Sequence, residues 1–354
     1  MFTTSRPRNP KLSICVPTWN RGPLLQETLQ SIVSQVTDDC EVVVLDSASS
    51  DNTEDVVARF AAVCPQLRYV KEQFARGFDQ DRDRVIELSK GDYFWTVSSK
   101  DILKPGAIDA VLSALRENFA VILVNMEITD LSQSSLLVQR HVEIDGNRIY
   151  CPEELSRLFA EGFYLATHFS CAIVKREVWA SCEREQYYGS IASHVGILFQ
   201  SSLPSRALII GAIMLRHRFG GQSWIKGTTQ MVLMWSSVVD SLAISAQTKL
   251  EFREWVSPEK LVQWISLRAC GRYSLSDYPK VAASNLLSFK GRMFALLAAL
   301  LPGQLLNVIE LARASRSKNR FKSLYLETLR ASVFHFRKWK LYCLLVRGIR
   351  ARQL

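Results

Sequence analysis

The chain has 354 residues, 48% hydrophobic and 22% charged, which is enough to bury a large core and excludes intrinsic disorder. Its formal charge of +10 is uneven: residues 290–354 hold 14 Lys and Arg against 2 Asp and Glu, a local +12, so the first 289 residues carry −2. Eight cysteines without a C-x-x-C pair exclude a zinc ribbon or a disulfide framework and predict a reducing cytoplasm. Residues 1–11 lack a signal-peptide core, and no apolar run reaches the roughly 20 residues of a membrane span.

Residues 12–17 read as a short apolar strand ending in a loop of turn formers at 18–22. Leu24, Leu25, Leu29, Ile32 and Val33 predict a helix over 23–35. A second buried strand over 40–45 precedes the polar loop 46–53. A helix over 54–64, a strand over 67–71 and a helix over 81–89 follow. Tyr93, Phe94, Trp95, Thr96 and Val97 have no polar alternation, the pattern of a strand covered on both faces. That strand runs into Ser98-Ser99-Lys100-Asp101. Strand and helix alternating at this spacing predict a right-handed parallel sheet wrapped by helices. The loops 18–22, 46–53 and 98–101 then leave one sheet edge and converge on one crevice, where such sheets bind ligands. Asp101 is a candidate functional residue there, or else the N-cap of the next helix. Neither a dinucleotide glycine fingerprint nor a Walker loop occurs, so a nucleotide-sugar fits better than NAD or ATP.

Ser13-Ile14-Cys15-Val16-Pro17-Thr18-Trp19-Asn20-Arg21 and Val43-Val44-Leu45-Asp46-Ser47-Ala48-Ser49-Ser50-Asp51-Asn52-Thr53 resemble the opening of glycosyltransferase family 2. Gly77-Phe78-Asp79 and residues 91–106 look like that family's third and fourth landmarks. The Asp-x-Ala-Ser-x-Asp and Gly-Phe-Asp variants are closest to the branch of abequosyltransferases and related O-antigen sugar transferases. The resemblance implies the GT-A nucleotide-diphospho-sugar transferase fold, α/β with a Rossmann-like, mostly parallel sheet. It also implies inverting transfer of a sugar from a nucleotide-diphosphate donor to a lipid-linked or polysaccharide acceptor in bacterial surface glycan synthesis. By position, Pro17, Thr18, Asn20 and Arg21 would line the nucleotide pocket and Asp46 would accept a hydrogen bond from base or ribose. Ser49 and Asp51 would shape the loop, Asp79 would lie near base or ribose, and Asp101 would hold a divalent cation, Mg2+ or Mn2+, on the diphosphate. The departure is Ser99-Lys100-Asp101, where relatives usually have three aspartates. Two readings stand: Asp101 beside Ser99 still binds the cation, or Lys100 supplies positive charge to the leaving diphosphate. A non-catalytic nucleotide- or glycan-binding member with a degenerate metal motif is the alternative.

In the acceptor half, a helix over 108–116 and a strand over 120–125 precede a polar segment, 130–148, expected as a surface hairpin. A core strand around 169–174 follows, with His168 inside it as a structural residue. Lys175-Arg176-Glu177-Val178-Trp179 and Gly189-Ser190-Ile191-Ala192-Ser193-His194 resemble the later elements of the same branch. His194 occupies the place where family 2 enzymes put an acidic general base, so it is either the base or a structural histidine, with Glu183 and Glu185 as acidic alternatives. Arg216-His217-Arg218 ends an apolar run over 207–215 and faces either the crevice or solvent. The GT-A domain is expected over 1–225, divided at 106, and a helical, basic region over 226–354. Helices are predicted over 231–246, 258–270, 277–287 and 290–301, with Trp235, Trp255 and Trp264 as packing residues. The basic amphipathic stretch 319–354 suits an anionic membrane surface, placing the protein peripherally at the inner face of the cell membrane. No nucleic-acid module accompanies the basic charge, so no nucleic acid is expected as a partner.

Overall fold

The computed structural model describes residues 9–220 and 228–335. Two compact units are present: Met1–Arg218 with Val238–Lys249, and Phe219–Ser237 with Leu250–Leu354. Residues 238–249, expected in the helical region beyond 225, thus belong to the first unit.

The first unit opens with β1 (Leu12–Thr18), α1 (Gly22–Val33), β2 (Cys40–Asp46), α2 (Thr53–Ala61), β3 (Leu67–Lys71), α3 (Phe78–Leu88) and β4 (Tyr93–Thr96). Strands β3, β2, β1 and β4 lie side by side and parallel, with Leu12 paired to Cys40 on one side and Tyr93 on the other. All seven residues of β1 but Pro17 are buried, as a strand covered on both faces requires. Helix α3 begins at Phe78, three residues before the predicted start, because Gly77 takes φ 108° and Asp79 and Asp81 fall in the first turn, where acidic side chains favour a helix.

The second half comprises β5 (Ile102–Leu103), α4 (Ala107–Leu115), β6 (Val121–Asp130), β7 (Leu136–Val138), β8 (Asn147–Tyr150), α5 (Leu155–Ala166), β9 (Ala172–Lys175), α6 (Arg176–Ala180), α7 (Ser193–Phe199) and β10 (Ala207–Phe219). All ten strands form one sheet, but β9 is antiparallel to both β4 and β6, and β10 is antiparallel to β5 and β8. The sheet is therefore mixed, with β3, β2, β1 and β4 forming a parallel part. Two local readings change. The segment 130–148 is only partly a surface hairpin: Val142 and Ile144 are buried, and the Asn125 amide donates to the Val142 carbonyl (2.7 Å) and accepts from its N–H (3.1 Å). His168 lies outside any strand and starts a 3-10 turn, Phe169–Cys171, before β9. The turn arises because the Ser170 carbonyl accepts from Trp95 Nε1 (2.8 Å) and its hydroxyl from the Ser98 N–H (3.0 Å), bonds that a ladder pairing would not leave free.

The helices beyond are α8 (Thr228–Ser241), α9 (Ala246–Arg253), α10 (Leu261–Ala269), α11 (Tyr278–Ala282), α12 (Phe289–Leu300), α13 (Gly303–Arg316) and α14 (Lys322–Ala331). In the second unit Ala269, Leu306, Ala314 and Leu329 form a core cluster. Buried Asn307 donates to the carbonyls of Ala269 and Leu329, both at 2.9 Å, tying α13 to α10 and α14. Trp235 and Trp264 are buried, and Trp255 is partly exposed with its ring edge-on to Trp235. Helix α13 has no counterpart among the predicted elements. Of the basic stretch 319–354, residues 336–354 lie outside the described residues.

Candidate functional site

The carboxyl ends of β1, β2 and β4 share one sheet edge. Thr18 pairs with Asp46, the Ser47 N–H donates to the Thr18 carbonyl (2.9 Å), and the Val97 N–H donates to the Cys15 carbonyl (2.8 Å). The loops 18–22, 46–53 and 98–101 thus leave the sheet together. The first two are locked to each other. The Asn20 N–H donates to Ser49 Oγ (2.7 Å), and Asn20 Oδ1 accepts from the Ser50 N–H (2.8 Å), with Asn20 at φ 50°. Asp51 accepts from the Gly22 N–H (3.1 Å), and a Cβ on Gly22 would lie 2.1 Å from Asn52 Oδ1, so only glycine lets the loops approach this closely.

Asp46 is placed differently from the expectation that it contacts base or ribose. It is fully buried, with Oδ2 accepting from the Tyr69 hydroxyl (2.6 Å) and Oδ1 from the Ser49 N–H (2.8 Å). It has no surface left for a ligand and instead holds the loop, the role expected of Ser49 and Asp51. Asp79 departs likewise. One of its oxygens accepts from the Ser193 hydroxyl and the other from the Gly189 N–H (2.8 Å), so it clamps the turn before α7. Pro17 is half-buried and Thr18 buried at the end of β1, while Arg21 is half-buried on the edge. Burial lowers the Arg21 pKa from its usual value. Lys100 is pushed down to about 8, chiefly by burial and also by the charges of Arg21 and Arg218, with Asp101 opposing. Arg21 and Lys100 therefore concentrate positive charge beside the loop 98–101. Arg218 donates to the Lys100 carbonyl and to Glu27 Oε1 (2.9 Å), which makes it part of the frame.

Asp101 is the centre of the site. It is completely buried, with Oδ2 3.0 Å from His168 Nε2 and Oδ1 2.8 Å from His217 Nδ1. The two imidazole centroids are 4.3 Å apart. Residue His217 arrives by register. Arg216 pairs with Ile102 across β10 and β5, so one step further His217 comes opposite Asp101. Burial by itself would raise the Asp101 pKa, but the attraction and hydrogen bonds of His217 and His168 outweigh it and hold the carboxyl well below the usual range. Burial pushes His217 down to about 4, with Asp101 opposing, so at neutral pH it is a neutral imidazole, the form that binds metal. Among the described residues, Asp101, His168 and His217 form a group whose donor atoms all lie within 4.8 Å of one another. One carboxylate with two imidazoles is a donor set suited to a divalent transition ion such as Mn2+ more than to Mg2+, which prefers oxygen. These residues fit the cation expected at Asp101.

Residue His194 does not have the disposition of a general base. It is buried, and its Nδ1 lies 3.1 Å from the Arg82 guanidinium. A guanidinium only donates, so Nδ1 accepts and the proton sits on Nε2. The lone pair a base needs is already engaged. Burial first, then the Arg82 charge, lowers the His194 pKa well below its usual value. The consequence for stability has a definite sign. Above about pH 6.5 both states leave the ring neutral; below it the unfolded chain takes up a proton that the native state excludes. Stability should then fall by about 1.4 kcal/mol per pH unit for each such histidine. We expect His194→Gln to reduce the slope of unfolding free energy between pH 7 and 5.5, by an amount that approaches one proton only at the acid end of that window, read from urea titrations. An unchanged slope would show that His194 charges within the folded protein.

A sequence profile described as "Glycosyl transferase family 2" matches residues 13–179. The chain is 29% identical over 117 residues to the GalNAc(5)-diNAcBac-PP-undecaprenol beta-1,3-glucosyltransferase of Campylobacter jejuni, covering 33% of this chain and 38% of that protein. It is 28% identical over 200 residues to abequosyltransferase RfbV of Salmonella typhimurium, covering 53% of this chain and 60% of that protein. The chain thus spans less than two thirds of the length of these relatives. A crystal structure of S. aureus TarS 1-349 in complex with UDP-GlcNAc superposes with a TM-score of 0.58 at 16% identity, covering 91% of each chain. The fold is GT-A, with a helical region following the sheet. Residues His168, within the matched span, and His217, beyond it, complete the surroundings of Asp101 on a chain whose residues 13–179 match the glycosyl transferase family 2 profile.

Proposed function

We propose that the chain is an inverting glycosyltransferase that moves a sugar from a nucleotide-diphosphate donor to a lipid-linked or polysaccharide acceptor in bacterial surface glycan synthesis. The single observation that carries this reading is Asp101 held between His168 and His217 at the carboxyl edge of the parallel strands. Loss of carboxylates from the motif, with Ser99 beside Lys100, favours a non-catalytic scaffold only if nothing replaces them. Two imidazoles at 3.0 and 2.8 Å from Asp101 would supply replacement donors once the protons they donate to it move to the far ring nitrogens.

Asp101, His168 and His217 would hold the cation. When bound, it would neutralise charge on the donor diphosphate and favour departure of the nucleotide. This chain's own residues act around it. Asn20, Ser49 and Asp51 fix the two loops that frame the nucleotide, so Pro17, Thr18 and Arg21 are presented on a rigid edge. Lys100 and Arg21 add positive charge for the diphosphate, and Lys100, at about 8, remains largely protonated at neutral pH. Asp79 and Arg82 brace the turn carrying Ser193 and His194, which borders the acceptor half.

The testing experiment is titration calorimetry with UDP, GDP, CDP and dTDP, each with Mn2+, with Mg2+ and with excess chelator. Binding of one nucleotide, stronger with Mn2+ than with Mg2+, is expected. Absence of binding to all four would overturn the reading. In the same assay His168→Ala and His217→Ala should each weaken Mn2+ binding by about tenfold or more, as removal of a ligand from a three-residue set does. Unchanged Mn2+ affinity in both variants would leave Lys100 as the diphosphate's partner.

A further inference from the structure

Residues 293–309 contain no charged side chain, and within them α12 and α13 meet at a bend of 101°. Helix α12 exposes Phe289, Met293, Leu297 and Leu300, a spacing that places them on one face; Phe289 is 80% and Leu300 62% exposed. Across the bend α13 exposes Leu305, Val308 and Ile309. The opposite faces are used internally. Ala295, Ala298 and Ala299 of α12 and Leu306, Asn307 and Ala314 of α13 are buried. So many exposed large apolar side chains on two successive helices are unusual on a folded chain and mark a contact surface.

The charges around this surface say what it contacts. Lys290 and Arg292 precede the apolar run, and Arg313, Arg316 and Lys318 follow it. The one acidic residue between 286 and 322 is Glu310, which is buried and paired with Arg313. An apolar bend bordered at both ends by cations, whose nearby acids are engaged within the fold, Glu310 by Arg313 and Glu259 by Ser288 at the start of α12, complements an anionic lipid leaflet: acyl chains against the leucines, headgroups against Lys and Arg. No single described helix is long and apolar enough to cross a membrane, so the fit is to the interfacial layer.

We propose that the α12–α13 bend is a monotopic membrane-binding element that seats the protein on an anionic bilayer surface. It is distinct from the terminal stretch on which the sequence places the basic amphipathic character. It also goes beyond the transfer chemistry: vesicle binding needs no nucleotide, so failure of either reading is seen separately.

The test uses the full chain with vesicles of phosphatidylcholine alone and of equal parts phosphatidylcholine and phosphatidylglycerol, in co-sedimentation. Binding should favour the anionic vesicles and weaken with salt. Leu300→Glu combined with Leu305→Glu should reduce it by about tenfold or more. Leu250→Glu, at an exposed site on α9, should leave it unchanged. Circular dichroism establishes that the double variant is folded. A Leu300→Trp variant should emit as a solvated indole in buffer and shift to the blue only when anionic vesicles are added. Equal vesicle binding by the double variant would overturn the proposal. So would a blue-shifted Leu300→Trp emission without lipid, which would place another part of this chain or a second copy over the bend.

Discussion

Substitution Asp101→Asn is expected to lower the turnover number by about 10³-fold or more, measured as nucleotide release with the donor that binds best in calorimetry. The change is nearly isosteric, and the reason for the size of the effect is electrostatic. Asp101 is fully buried, holds its negative charge against the cost of burial, and accepts from two imidazoles. An amide keeps the volume but removes the charge that would anchor a cation. It also presents N–H groups toward one histidine, which can answer by switching tautomer. Folding should therefore be affected far less than turnover. A variant with normal stability and near-normal turnover would show that catalysis does not depend on a cation held by the Asp101 carboxylate.

The second large effect is on stability. Truncation of Trp95 to Ala should cost about 3–5 kcal/mol, the range for removing a fully buried aromatic side chain, and should be seen as a lowered urea midpoint. Trp95 lies in the middle of β4, with its indole N–H donating to the Ser170 carbonyl. That bond ties β4 to the 3-10 turn that carries His168, so the damage should extend to the site. Mn2+ binding should weaken in Trp95→Phe as well, even though the ring volume is mostly kept. If Trp95→Phe retained full metal affinity, Ser170 would not be needed to position His168.

These two residues illustrate how the site is built. Asp101 stands in the loop that follows β4, a strand whose four residues are all buried, while its two partners come from elements far away in the chain. One partner is delivered by a turn set by Trp95 and Ser170, the other by the register of β10 against a two-residue strand.

From the amino-acid order alone came the run of parallel strands β1–β4, the three loops converging at their carboxyl ends, and Asp101 as the central acidic residue. All of these follow from local physics: uninterrupted apolar runs, turn formers at their ends, and the short spacing of strand and helix. Tertiary structure decided the rest. His168 and His217 are 49 residues apart in sequence and meet at Asp101 only through a 3-10 turn on one side and the antiparallel register of β10 on the other, which no periodicity within either segment encodes. A signal for His217 was present in the alternation of β10, where buried Leu215 and His217 share a face, but its partner strand is two residues long and leaves no periodic trace. Asp46, Asp79 and His194 carry the residue types of a ligand site. Their hydrogen bonds to Tyr69, Gly189 and Arg82 turn them inward, because a buried polar group must find a partner and the nearest ones lay within the fold.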